Sequence, residues 1–152
     1  MLKVDISVND KRFLDEGFDV RLWCRKVIKA AWLEVEDGDT EISLLLTDDE
    51  EIAELNSKYR SKNVPTNVIS FASIDSDVPE DGVFFAGDII ISYDAIKREA
   101  MSLNFKDYLA HLLVHGAMHL AGYDHMQDTE ACEMEDIETQ ILAKLKIKSP
   151  YL

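Results

Sequence analysis

The sequence predicts one α+β domain over residues 1–152, a small mixed β-sheet packed against helices, and three observations carry that reading. A chain of 152 residues suits one domain, which at this size buries roughly 68–70% of its unfolded surface. Segments with apolar residues at every second position are interspersed with segments at helical spacing. No repeat, low-complexity tract or linker interrupts them. Hydrophobic residues at 47% and charged residues at 30% are in the globular range, which excludes wholesale disorder.

Residues 2–8 (LKVDISV) alternate as a strand does. Asp19 caps a helix running to about Val35, with Val20, Trp23, Val27 and Ala31 on its buried face. Residues 36–39 (EDGD) form a turn before a more buried strand, 41–46 (EISLLL). Thr47 and Glu50 have capping-box spacing and open a short helix through Ile52 and Leu55 to about Tyr59. After an irregular polar loop fixed by Pro65, 68–72 (VISFA) reads as a strand and 76–82 as an acidic turn. Another strand covers 83–92, with Gly87 marking a bulge or a close backbone approach. Helical spacing returns at about 93–103, 107–121 and 128–146. In the last of these, Ala131, Met134, Ile137, Ile141 and Leu145 share one face, and six carboxylates between 128 and 138 read as a solvated surface.

Sixteen basic against thirty acidic side chains give a formal charge of −14. Such a field repels nucleic acid and anionic membranes at long range, so any nucleic-acid reading must meet that cost. The charge is uneven. Residues 1–30 hold seven basic and five acidic side chains, and Arg21, Arg25 and Lys29 follow one another at four-residue steps. This stripe is a candidate substrate-binding surface; a solvated helix face accounts for it equally well. Cys24 and Cys132 form no CxxC pair and read as two buried small hydrophobes in a reducing compartment. The N-terminal residues lack an apolar run of signal-peptide type, and no stretch reaches the length of a membrane span. A cytoplasmic protein is expected.

All four histidines fall in fifteen residues, 111–125 (HLLVHGAMHLAGYDH). On a helix, His111, His115 and His119 project from one face, but eight residues separate the outer two by about 12 Å of rise. A tetrahedral zinc takes two neighbours at i and i+4, here His115 and His119, and then needs a third ligand from elsewhere. Gly122 supplies a turn, since glycine readily adopts the left-handed conformation that ends a helix, and His125 then returns towards the ion. This H-x-x-x-H-x-x-G-x-x-H pattern is the ligand spacing of metzincin metalloproteases, a zincin-like metal site on a helix and turn. Helix-packing histidines with hydrogen-bonded rings are the plain alternative, and for His111 a supporting or packing role is favoured over ligation. Metalloproteases carry a glutamate beside the first ligand as general base, and here that position is Gly116. This points away from peptide hydrolysis.

A second constellation lies at 55–71 (LNSKYRSKNVPTNVISF), where Arg60 and Lys62 flank a proline turn. An arginine fork suits the negative charge that develops during phosphodiester cleavage. Taken without the histidine motif, a surface cation at a helix C-terminus is the favoured reading of Arg60.

With both segments in view, the sequence resembles the bacterial YbeY family of single-strand-specific endoribonucleases. Residues 115–125 (HGAMHLAGYDH) are similar to that family's HGxLHLxGYDH signature, and 55–71 and 86–92 (AGDIIIS) are similar to two further family segments in the same order. The resemblance covers about residues 40–142. It departs at Asn63 and Asn67, where the family usually has aspartates, at Met118 (leucine) and at Ala72 (proline). It implies one zinc ion held by His115, His119 and His125, with Arg60 matching an arginine important for activity. It further implies 16S rRNA 3′-end maturation and ribosome quality control. Single-stranded rRNA and small-subunit components are then the expected partners, with neither membrane nor DNA. A zinc peptidase and a non-catalytic ribosome-assembly factor with structural zinc remain the competing readings.

Overall fold

The computed structural model describes residues 2–33, 39–60, 66–72, 84–100, 103–122 and 128–147, with the backbone alone for Leu33, Arg60, Phe84 and residues 128–132. Four strands, β1 (Leu2–Val8), β2 (Thr40–Thr47), β3 (Val68–Ala72) and β4 (Phe84–Ser92), form one sheet in the order β1-β2-β4-β3. β1, β2 and β4 run parallel, and β3 pairs antiparallel with β4. The sheet is small and mixed, as expected.

Among the described residues, a short 3-10 helix (Lys11–Asp15) and five α-helices accompany it: α1 (Val20–Leu33), α2 (Asp49–Arg60), α3 (Tyr93–Glu99), α4 (Phe105–Leu120) and α5 (Asp128–Lys144). Ile42, Leu44 and Leu46 of β2 join Ile89 and Ile91 of β4 in a core that includes Val27 and Ile28 of α1. Leu109 and Leu113 of α4 and Ile141 and Leu142 of α5 belong to the same core. Full burial of each such side chain contributes about 1.5–3 kcal/mol. On the opposite face, among the described residues, α2 packs through a smaller cluster of Ile52, Ile69 and Ile90 supported by Leu45, Leu55 and Phe71. α1 packs on β1 and on α4, while α4 packs on β3 and β4.

Helix starts follow side-chain oxygens. Asp19 caps α1 by accepting from Leu22 N at 3.1 Å. α2 is shifted by one residue from the expected box: Asp48, not Thr47, accepts from Glu51 N at 2.9 Å, and Asp48 O takes the first helical bond from Ile52. Thr47 ends β2 instead, and its hydroxyl donates to Glu51 Oε1 at 2.5 Å. The run expected from 93 gives a shorter helix, α3, capped by Ser92. α4 starts two residues earlier than the spacing suggests because Asn104 accepts from Asp107 N at 2.8 Å.

Gly87 fills both roles expected of it. Glu41 pairs with Phe85 but Ile42 pairs with Gly87, so Ala86 is the extra residue of a bulge. Gly87 has φ +144°, and a Cβ there would lie 2.1 Å from Phe71 O and 2.8 Å from Leu120 Cδ2. Only glycine fits.

Candidate metal centre

α4 approaches the sheet most closely at Gly116. A Cβ at this position would meet Ile89 Cγ2 at 2.9 Å and Ser70 Oγ at 3.2 Å. Ser70 Oγ donates to Gly116 O at 3.1 Å, tying the helix to β3. The glycine that replaces a metalloprotease glutamate therefore faces the sheet, where a carboxylate has no room.

His115 and His119, one turn apart on α4, bring their Nε2 atoms to 3.0 Å, with ring centroids 4.6 Å apart. Two nitrogens on a tetrahedral zinc, each at 2.0–2.1 Å, stand about 3.3 Å from one another. The pair is thus close to ligand geometry before any other group is considered. Behind it, His115 Nδ1 lies 2.9 Å from Oε1 of Glu138, a carboxylate with 0% exposure on α5. A carboxylate on one ring nitrogen directs the proton there and leaves the other nitrogen for a metal. One turn earlier, His111 sits between Tyr108 and His115, with centroids at 5.7 Å and 6.2 Å. Burial holds His111 below the ordinary histidine value, partly offset by Glu138.

Past His119 the helix ends as the sequence suggests. Gly122 takes φ +98°, and its N–H donates to His119 O at 3.0 Å, closing the last turn. His125 and Lys62 lie outside the described residues. Arg60 closes α2, and its side chain likewise lies outside them. Among the described residues, no group of three ligating side chains forms, so the donor set rests on the His115–His119 pair and its carboxylate. A converging imidazole pair backed by a buried acid fits a zinc ion.

Arg21, Arg25 and Lys29 are all exposed on α1. That helix packs on β1 and on α4, the helix that carries the histidine pair. The structure brings the two histidines together and leaves the basic stripe on an exposed face of the neighbouring helix.

Glu138 is the residue that the sequence reading missed. It was grouped with the solvated carboxylates of α5, yet it falls four residues after buried Met134 and three before buried Ile141. Its place on the apolar face was the available signal. Asn67, one of the departures, also has a definite role: its amide donates to Glu99 Oε1 at 3.0 Å, which Tyr108 OH also reaches at 2.9 Å. Burial, then Glu99, pushes the Tyr108 phenol up to about 12.

The family pattern described as "Endoribonuclease YbeY" matches residues 5–146. This chain belongs to the YbeY endoribonuclease family. It is 39% identical to the endoribonuclease YbeY of Bartonella quintana over 157 residues, covering 99% of this chain and 98% of that one. It is 41% identical to the endoribonuclease YbeY of Agrobacterium fabrum over 160 residues, covering 99% and 95%. The solution structure of TM1509 from Thermotoga maritima has a similar fold, with a TM-score of 0.54 at 21% identity over 96% of this chain and 92% of that one. Among the described residues no helix is long and apolar enough to cross a membrane.

Proposed function

We propose that this chain is a zinc-dependent endoribonuclease that cuts single-stranded rRNA in the cytoplasm. Its task is to mature the 3′ end of 16S rRNA and to serve ribosome quality control, with small-subunit components as partners. The observation that carries the chemistry is the pair of Nε2 atoms at 3.0 Å, backed by Glu138, in a chain of the YbeY family.

His115 and His119 would hold the ion with His125 as third ligand. Zinc bound there supplies a Lewis acid for a phosphoryl oxygen. Glu138 orients His115 and keeps its proton on Nδ1. Arg60 is assigned to the charge that builds on the phosphoryl oxygens, for which a guanidinium fork is well suited. Lys62, two residues on, contributes a second cation for the RNA backbone. Arg21, Arg25 and Lys29 are assigned to a more distant stretch of the strand. Gly116 weighs against the peptidase reading, because the position that would carry a general base is filled by the sheet.

The test is cleavage of a single-stranded 16S 3′-end fragment by wild type and His115→Ala, purified identically, with and without zinc. Cleavage confined to zinc-loaded wild type is expected. Equal cleavage by both proteins would assign the activity to a contaminant and overturn the proposal. The product ends then identify the attacking oxygen, since a 2′,3′-cyclic phosphate marks the ribose 2′-OH.

A further inference from the structure

The face of the sheet opposite α4 carries a groove of about 840 Å³ beside α2. Ser43, Asp88 and Ile90 line it from the sheet, and three aromatic rings join them, Tyr59 from α2, Phe71 from β3 and Phe85 from β4. Tyr59 and Phe85 are 58% and 41% exposed, although large aromatic side chains are normally drawn inward. Tyr59 and Phe71 meet with centroids 5.1 Å apart and form one aromatic corner. Lys58 Nζ stands 5.2 Å from the Tyr59 ring. Asp88 is half-buried, and no donor or cation stands against its carboxylate among the described residues. Burial alone pushes that carboxyl above its ordinary value.

An acceptor-only carboxylate beside exposed ring faces is complementary to a flat ligand that carries N–H donors on one edge. Nucleobases are such ligands: every base offers a π-face for stacking, and unpaired bases are read on their Watson–Crick edges. Guanine alone presents two adjacent donors, N1–H and N2–H, that one carboxylate accepts together. The overall charge of −14 disfavours long-range attraction of phosphates, so base contacts would carry much of the recognition here. Tyr59 immediately precedes Arg60, so the groove and the cation proposed for the phosphoryl oxygens share the C-terminal end of α2.

We infer that this groove is a nucleobase subsite for the single-stranded RNA substrate, with Asp88 selecting guanine and Tyr59 and Phe71 stacking the base. The inference rests on the proposed reading of the chain as an enzyme of single-stranded RNA. Asp88 is here a specificity residue, remote from the bond that breaks.

The experiment uses nuclease-resistant 2′-O-methyl RNA pentamers, identical except for a central G, A, C or U. Their affinities are measured by fluorescence anisotropy for zinc-loaded wild type, Asp88→Asn and Tyr59→Ala. Circular dichroism checks that each variant is folded. Wild type should prefer the G pentamer by about tenfold, the discrimination typical of a bidentate base contact. Asp88→Asn should abolish that preference, and Tyr59→Ala should weaken all four pentamers by about tenfold, the usual loss of one stacking contact. Equal affinities for all bases, unchanged in both variants, would overturn the inference and leave the groove to a basic segment of a protein partner. If that result comes with a wild type that cleaves the rRNA fragment, the subsite fails and the nuclease reading stands. A wild type that neither cleaves nor binds would overturn both.

Discussion

Glu138 on α5 and His115 on α4 meet at 2.9 Å, and the carboxylate is fully buried where they meet. A buried acid against a ring nitrogen does more than fill space: it selects the tautomer and orients the ring. Replacing Glu138 by alanine should lower zinc affinity about 10–100-fold, the usual effect of losing such a partner. Competition with a chromophoric chelator measures it, and equal affinities for wild type and variant would remove the orienting role.

Gly116→Glu would restore the metalloprotease pattern on paper. In the fold it drives a charged side chain into Ile89 and Ser70. We expect a loss of more than about 2 kcal/mol in urea unfolding, from overpacking and a buried charge together. No casein hydrolysis should appear. A stable, proteolytic variant would refute this account of the position.

Gly87→Ala meets two obstacles, a backbone at φ +144° and the Phe71 carbonyl 2.1 Å from the new methyl group. Strain of this kind costs about 3 kcal/mol or more once the clash is added. For a chain of this length the thermal midpoint should fall by roughly 6–12 °C. Scanning calorimetry of the two proteins provides the comparison.

The acid limb of stability has identifiable sources. The Arg12 side chain holds Asp10 below its ordinary value of 3.8. For Asp49, burial pushes upward but is outweighed by Arg98 and Ser92, so its carboxyl is also lowered. A carboxyl depressed in the fold stabilises it above the unfolded value and loses that contribution as pH falls through the folded one. Stability should therefore decline below about pH 4. The double variant Asp10→Asn, Asp49→Asn should be less stable at pH 6 and show a shallower decline between pH 4 and 2. Urea midpoints across that range decide it.

Charge reversal at Arg25 and Lys29 tests the exposed stripe on α1. If this surface follows the RNA backbone, the double glutamate variant should bind a long single strand more weakly and with a flatter salt dependence. The salt slope of binding, rather than a single affinity, is the measurement. An unchanged slope would return the stripe to a plain solvated face.

Most of the fold was legible because its signals are local. Alternation in LKVDISV and EISLLL marks strands that become β1 and β2, and the same sequence pattern anticipates the helix face holding Val27 and Ala31. Gly122 and Gly87 were legible for a different reason, since each has a conformation that few other residues adopt. What was misread depends on choices between near neighbours. Thr47 and Asp48 both offer capping oxygens, and only the end of β2 decides that Thr47 remains extended. Glu138 looked like one more acid among six, and its burial is created by α4 across a tertiary contact. The histidine pair was legible from spacing alone because a helical turn brings i and i+4 together whatever surrounds it.

The docking of α4 through Gly116 has a thermodynamic consequence. Its backbone is held by β3, and the His115 ring is held again from α5, so this imidazole needs no further immobilisation when an ion arrives. Little rotational entropy is left to lose, and affinity can follow from the ligands rather than from coupled folding. An ion at the proposed site would then raise the melting temperature by mass action, in proportion to the logarithm of its concentration over the dissociation constant.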